Sequence, residues 1–212
     1  MDIDNQQAYW DKVADHKTFS HPVDVDLLKK YVATNAKLID FGCGYGRVVD
    51  ILLHGVSFTN ITGYDTSSLL VKRGVEQHLP LQYINEPTDL PVDENSIDCI
   101  VLFAVLTCIP SNKGQQSLIN LLYSKLKPGA ILYVSDYYLQ DNEVSESRYT
   151  NFNNDPENFG VFTLPEGATF RHHTKEWITT LVKDFKILEE HFIEVKTMNG
   201  NKAEAFQLIL QK

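Results

Sequence analysis

The residues richest in chemistry lie in one short stretch, Asp40-Phe41-Gly42-Cys43-Gly44-Tyr45-Gly46-Arg47. A carboxylate closes the apolar run Leu38-Ile39, three glycines follow at alternate positions, and a second apolar run, Val48 to Leu53, begins beyond them. That order reads as strand, tight turn and helix. Glycines let such a turn take positive φ and let a ligand approach with no Cβ in the way, while the first amides of the helix offer unpaired donors. Asn60 to Asp65 reads as the next strand and ends in a second carboxylate. Asp65 stands about 20 to 25 residues past the turn, the offset at which doubly wound nucleotide-binding folds place an acceptor for ribose hydroxyls. A dinucleotide fingerprint is Gly-x-Gly-x-x-Gly, but here the third glycine comes one residue early and Arg47 stands sixth, so an NAD(P) site fits poorly.

These side chains need an open parallel sheet whose strands end at one rim, because ligands of such sheets bind at the carboxyl ends of the strands. The remaining pattern supplies it. Thr66 and Ser67 can cap a helix from Ser68 to Gln77, and Leu81 to Ile84 gives strand three. Cys99 to Phe103 is apolar throughout, as a strand buried on both faces should be. Ser111 caps a helix that Lys127-Pro128-Gly129 stops, and Ile131 to Ser135 is strand five, delivering Asp136, Tyr137 and Tyr138 to the rim. Phe185 to Lys196 and Ala203 to Gln211 read as a hairpin through Asn199-Gly200. Ahead of the core, Tyr9, Trp10 and Val13 fall at helical spacing within residues 5 to 14, and Val25 to Ala33 reads as a second helix. Between Leu139 and His173 the pattern dissolves into Asn, Asp, Glu, Ser and Pro, a length of irregular chain that usually serves as a lid.

The glycine turn resembles motif I of the class I S-adenosylmethionine-dependent methyltransferases, acidic-x-Gly-x-Gly-x-Gly, here Asp40, Gly42, Gly44 and Gly46. The likeness extends to Leu90-Pro91 in the loop after strand three, to Ser96-Ile97-Asp98 before strand four, to Leu126-Lys127-Pro128-Gly129 before strand five, and to the final hairpin. It implies a single α/β domain over 1–212, Rossmann-like and doubly wound, with seven strands in the order 3-2-1-4-5-7-6 and strand seven antiparallel. Residues 1–34 would form a helical cover, 35–138 the cofactor core, 139–173 a substrate lid, and 174–212 the last helix and hairpin. The cofactor implied is S-adenosylmethionine, leaving as S-adenosylhomocysteine. Asp40, Gly42, Cys43, Gly44 and Gly46 would hold its methionine part, and Asp65 with Thr66 its ribose. Counting back from Leu90-Pro91 puts Glu86 on the adenine-binding acid, with Asp89 as the competing acceptor and Thr88 as a shifted amide, since Pro87 has no N–H. Leu90, Phe103 and Ala104 would also belong to the cofactor site, Phe103 and Ala104 lining its cleft.

The chemistry implied is in-line attack on an activated methyl group, for which alignment matters most and a base is useful only for a protonated nucleophile. His172, His173 and Asp136 are the candidate bases. Tyr9, Trp10, Tyr138, Arg171 and His172 are the candidate substrate contacts, with the Tyr9-Trp10-Asp11 segment resembling the covering helix of small-molecule methyltransferases. The family's Leu-x-His segment after strand four is replaced by Leu106-Thr107-Cys108-Ile109, and no Asn-Pro-Pro-Tyr motif of amino-methyltransferases acting on DNA bases follows that strand.

Composition limits the partners. The 212 residues carry 28 acidic and 19 basic side chains, a net charge of −9, with no Lys/Arg cluster. Such a surface repels phosphate backbones, so the expected acceptor is a small molecule and not a nucleic acid. Three cysteines without Cys-x-x-Cys spacing fit reduced thiols and no metal site. The polar start, Met1-Asp2-Ile3-Asp4-Asn5, is unlike a signal peptide and no apolar run reaches membrane-spanning length, so a cytoplasmic protein with no membrane contact is expected. The two rival readings are an NAD(P)-dependent oxidoreductase and a methyltransferase-like domain that binds without catalysis.

Overall fold

The computed structural model describes residues 3, 6–149, 159–198 and 200–212. The first half runs α1 (Gln7–Val13), α2 (Val25–Lys29), β1 (Leu38–Phe41), α3 (Arg47–Asp50), β2 (Ile61–Asp65), α4 (Ser68–Val75), β3 (Leu81–Tyr83) and β4 (Ile97–Phe103). The second half runs α5 (Asn112–Lys125), β5 (Leu126–Tyr137), α6 (Glu143–Tyr149), β6 (Val161–Thr163), β7 (Thr169–Arg171), α7 (Lys175–Leu181), β8 (Lys186–Lys196) and β9 (Lys202–Gln211). Seven strands form one sheet in the order β3-β2-β1-β4-β5-β9-β8. The first five are mutually parallel, and β9 is antiparallel to both β5 and β8. Counted within the sheet, this is the expected 3-2-1-4-5-7-6 with its antiparallel strand seven.

β4 shows why the sheet has helices on both sides. Ile100 and Leu102 pack into one apolar cluster with Leu118, Leu122 and Ile178, while Cys99, Val101 and Phe103 pack into the other with Leu28, Val49 and Val71. A strand buried on both faces must be apolar, as this one is from Cys99 to Phe103. Side-chain oxygens start the helices: Asp24 accepts from Leu27 N–H, Ser67 from Leu70, Ser111 from Gly114 and Thr174 from Trp177. The registers Asp40 with Val101 and Phe103 with Ser135 bring the ends of β1, β4 and β5 to one rim. No helix among the described residues is long and apolar enough to cross a membrane.

Several expectations change. The helix after the glycine turn gives way to a π-helical turn at Ile51–Gly55. β5 begins at Leu126, so Lys127-Pro128-Gly129 lies inside the strand as an irregularity, with Gly129 at φ 81°, and does not precede it. The segment 139–173 is not structureless where it is described. It holds α6 and the two-stranded sheet β6-β7, whose pairs Val161–Arg171, Phe162–Phe170 and Thr163–Thr169 place Phe162 and Phe170 on one face. Wide spacing of its apolar residues hid these short elements from periodicity. Residues 150–158 of that stretch, residues 1, 2, 4 and 5, and Asn199 of the hairpin turn lie outside the described residues.

Candidate functional site

A cavity of about 540 Å³ opens at the strand rim, a volume typical of sites for small organic ligands. Its floor is the glycine turn. Gly42, Gly44 and Gly46 all sit at positive φ, 71°, 56° and 85°, a conformation that any side chain would strain. A Cβ on Gly42 would press into Val105, and one on Gly44 would collide with the ring of Phe19. Asp65 braces the turn from the neighbouring strand: Gly44 N–H donates to Oδ2 and Ser67 N–H to Oδ1, both at 2.7 Å. Burial pushes its carboxyl up, and these amides hold it down.

Asp40 is only 2 % exposed, and its Oδ2 has no hydrogen-bond partner among the described residues. Burial raises its carboxyl to about 7 against the pull of Arg47, with Asp65 adding repulsion. An orphaned buried acceptor is costly unless a donor completes it.

The cover starts with the segment between α1 and α2. Tyr45 OH accepts from Phe19 N–H at 2.9 Å, and the two rings stack at 5.0 Å. Arg47 donates to the His21 carbonyl, and Arg73 to the carbonyls of Ala14 and Lys17. His21 is 4 % exposed, lines the cavity, and its Nε2 lies 2.6 Å from Ser135 Oγ. Burial lowers its imidazole to about 3, with Arg47 adding to the effect. The lining also includes Trp10, Tyr137, Phe162, Phe170, α6 and residues of the β8-β9 turn. His172 lies there among the rings of Tyr137, Tyr149 and Phe162, its Nδ1 2.6 Å from Tyr149 OH. Burial lowers it too, to about 3.

Of the expected site residues, Asp40, Gly42, Cys43, Gly44, Asp65, Thr66, Phe103, Ala104, Trp10 and His172 line this one cavity. The others stand elsewhere, each for a physical reason. Glu86 and Asp89 are exposed and cap each other's backbone across a short 3₁₀ turn, Thr88 is exposed beside them, and Leu90 is core. From that loop Pro87 faces the cavity instead. Gly46 lies against Leu79 and Leu81. Asp136 and His173 are buried behind the wall: Asp136 accepts from Thr107 and Tyr137 N–H, and His173 bonds Tyr137 O and Gln115. They hold the turn Leu106–Cys108 and do not line the cavity. Arg171 is 3 % exposed and donates to Pro110 O and Asn112 Oδ1, Tyr9 packs between Trp10 and Phe170, and Tyr138 stacks on Phe192.

Sequence reasoning missed His21, Phe19 and Arg47. Arg47 carried a signal, since it follows the third glycine directly; His21 and Phe19 lie in a segment without periodicity. No group of three or more His, Cys, Asp or Glu among the described residues could hold a metal ion.

A family model described as a methyltransferase domain matches residues 17–176, three quarters of the chain and all of the cavity floor. The chain belongs to this family of S-adenosylmethionine-dependent methyltransferases. S-adenosylmethionine is the family's cofactor. Among solved structures, a SAM-dependent methyltransferase from Methanosarcina mazei superposes with a TM-score of 0.79 at 25 % identity, over 90 % of this chain and 99 % of that one. Among curated relatives, carboxy-S-adenosyl-L-methionine synthase of Hydrogenovibrio crunogenus is 26 % identical over 58 % of this chain and 51 % of its own. A tRNA N(3)-cytidine methyltransferase of Bos taurus is 28 % identical over 68 % of this chain and 40 % of its own. The methyltransferase chain thus spans about half the length of the curated relatives it matches.

Proposed function

We propose that this protein transfers a methyl group from S-adenosylmethionine to a small molecule enclosed in the cavity. The observation that carries the reading is the enclosure itself. The floor that fits the cofactor and an aromatic chamber lined by Trp10, Tyr137, Phe162, Phe170 and His172 are parts of one cavity. The residues present fit the cofactor. Asp40 has an orphaned buried oxygen suited to an ammonium group, Asp65 ends β2 where ribose hydroxyls are accepted in doubly wound folds, and Gly42 and Gly44 line the cavity at positive φ. When bound, the cofactor supplies an electrophilic methyl group on a sulfonium.

The protein's share is positioning. Holding the nucleophile in line within the cavity supplies the larger part of the rate, and such alignment is worth up to about 7–11 kcal/mol. The aromatic walls grip a flat or apolar acceptor, and the wall network of Asp136, Thr107, His173 and Gln115 keeps the chamber's shape.

A nucleic-acid acceptor is the second reading, because one relative is named for tRNA. The net charge of −9 and the absence of a Lys/Arg cluster favour the small molecule. Incubation with methyl-labelled S-adenosylmethionine, a cell metabolite extract and, separately, total tRNA decides between them. Label in the small-molecule fraction alone is expected. Label in tRNA overturns the acceptor, and S-adenosylhomocysteine binding without label in either pool marks a binding domain without catalysis.

A further inference from the structure

His21 lines the cavity, and its hydrogen bonds fix which of its ring nitrogens carries the lone pair. Ser135 Oγ lies 2.7 Å from the carbonyl of Phe206 and 2.6 Å from His21 Nε2. A carbonyl can only accept, so the single hydroxyl proton goes to Phe206 and the imidazole must donate from Nε2. The other nitrogen, Nδ1, is therefore the bare acceptor. It is buried and has no partner among the described residues, although the ring lines the cavity. Around it stand Phe103 and Tyr137, each meeting the ring edge-on, at 5.8 and 5.2 Å, and Arg47 holds the backbone in place. A buried acceptor left open beside a ligand cavity calls for a donor from the ligand.

Resting on the methyltransferase reading above, we propose that His21 is the catalytic base and that the acceptor's nucleophile is a hydroxyl or an N–H group. Nδ1 takes the proton of that group as its oxygen or nitrogen bonds to the methyl carbon. The carbon–sulfur electron pair returns to sulfur, and the imidazolium, still donating from Nε2 to Ser135, later releases the proton to water. Ser135 is a positioning residue, since it sets the tautomer without touching the acceptor. Burial keeps the ring neutral throughout the neutral range, which leaves Nδ1 unprotonated before the reaction while lowering its basicity. His172 differs, because its ring already shares Nδ1 with Tyr149.

The test needs no knowledge of the acceptor. Sinefungin carries a primary amine in place of the methylated sulfur, and so brings an N–H donor to where the reaction occurs. Calorimetry should show the wild-type protein binding sinefungin about 10- to 100-fold more tightly than S-adenosylhomocysteine, the range for a hydrogen bond involving a charged group. His21→Phe should bring that ratio to about one, and His172→Ala should leave it unchanged. In ¹⁵N spectra of the wild type, the His21 Nδ1 signal should be that of an unprotonated nitrogen and should move with sinefungin but not with S-adenosylhomocysteine. This arm decides the matter should His21→Phe fail to fold. Equal affinities in the wild type, a preference that survives His21→Phe, a preference lost in His172→Ala instead, or a protonated Nδ1 would each overturn the assignment. Failure of the wild type to bind S-adenosylhomocysteine at all would remove the methyltransferase reading, and the base with it.

Discussion

The two halves of the cavity are built by opposite means. The floor comes from consecutive residues at strand ends, and it is made of backbone: three glycines at positive φ, braced by Asp65 through Gly44 and Ser67 N–H. The cover is assembled from side chains far apart in sequence, Trp10, Phe19 and His21 at one end of the chain, Phe162, Phe170 and His172 at the other. A floor of backbone can serve one invariant ligand, whereas a cover of side chains can be reshaped for each acceptor. Changes to the floor should therefore abolish cofactor binding, and changes to the cover should spare it.

Gly44→Val is the harshest change, because it breaks both halves at once. A β-branched residue at φ 56° is strained, and its Cβ would drive Phe19 off the turn. S-adenosylhomocysteine affinity should fall more than about 100-fold, a loss above roughly 2.7 kcal/mol, with a lowered Tm; wild-type affinity by calorimetry would show that the turn does not hold the cofactor.

Asp65→Ala comes next. It removes the proposed acceptor for ribose and leaves two turn amides unpaired, so affinity should drop about 10- to 100-fold on the scale of 1.5–3 kcal/mol for a charged hydrogen bond. The apo protein should also lose stability, each kcal/mol lowering Tm by about 2–4 °C for a chain of this size. Unchanged affinity would take Asp65 out of the site.

The pH dependence is a milder test of the same half. Asp40 is raised by burial to about 7 when folded, above its ordinary unfolded value of about 3.9. Between those values the folded chain keeps a proton that the unfolded chain has lost, so this group's contribution to apo stability declines as pH rises through the window. A cationic ligand group beside Asp40 favours the ionised form. Binding should thus release a proton and strengthen from pH 6 toward 8, and Asp40→Asn should flatten the slope. Asp136, also raised to about 7 by burial, adds to the slope of stability but not to that of affinity, since it lies behind the wall.

Arg171→Ala should change ligand affinity least. It removes the bonds to Pro110 and Asn112 and the packing on Trp177, costing about 1–3 kcal/mol of stability, with S-adenosylhomocysteine affinity held within about twofold. A tenfold loss of affinity would place Arg171 at the ligand after all.

The same contrast explains what the sequence disclosed. Asp40, the glycines and Asp65 were legible because a turn made of backbone demands particular residues at fixed spacing, and the strand order followed from apolar runs ending at one rim. The chamber was hidden because contact between Trp10 and Phe170, or between His21 and Ser135, depends on tertiary packing that no local period encodes. Polar residues near the rim then drew attention without facing it: Asp136 and His173 were needed by the wall's own backbone, and Glu86 and Asp89 by each other.

The most direct measurement is a calorimetric titration of the wild-type protein with S-adenosylhomocysteine and with NADH at pH 6 and pH 8. The account predicts saturable one-to-one binding of S-adenosylhomocysteine, tighter at pH 8, and none of NADH. Binding of NADH alone, or no binding of either at both pH values, would contradict it.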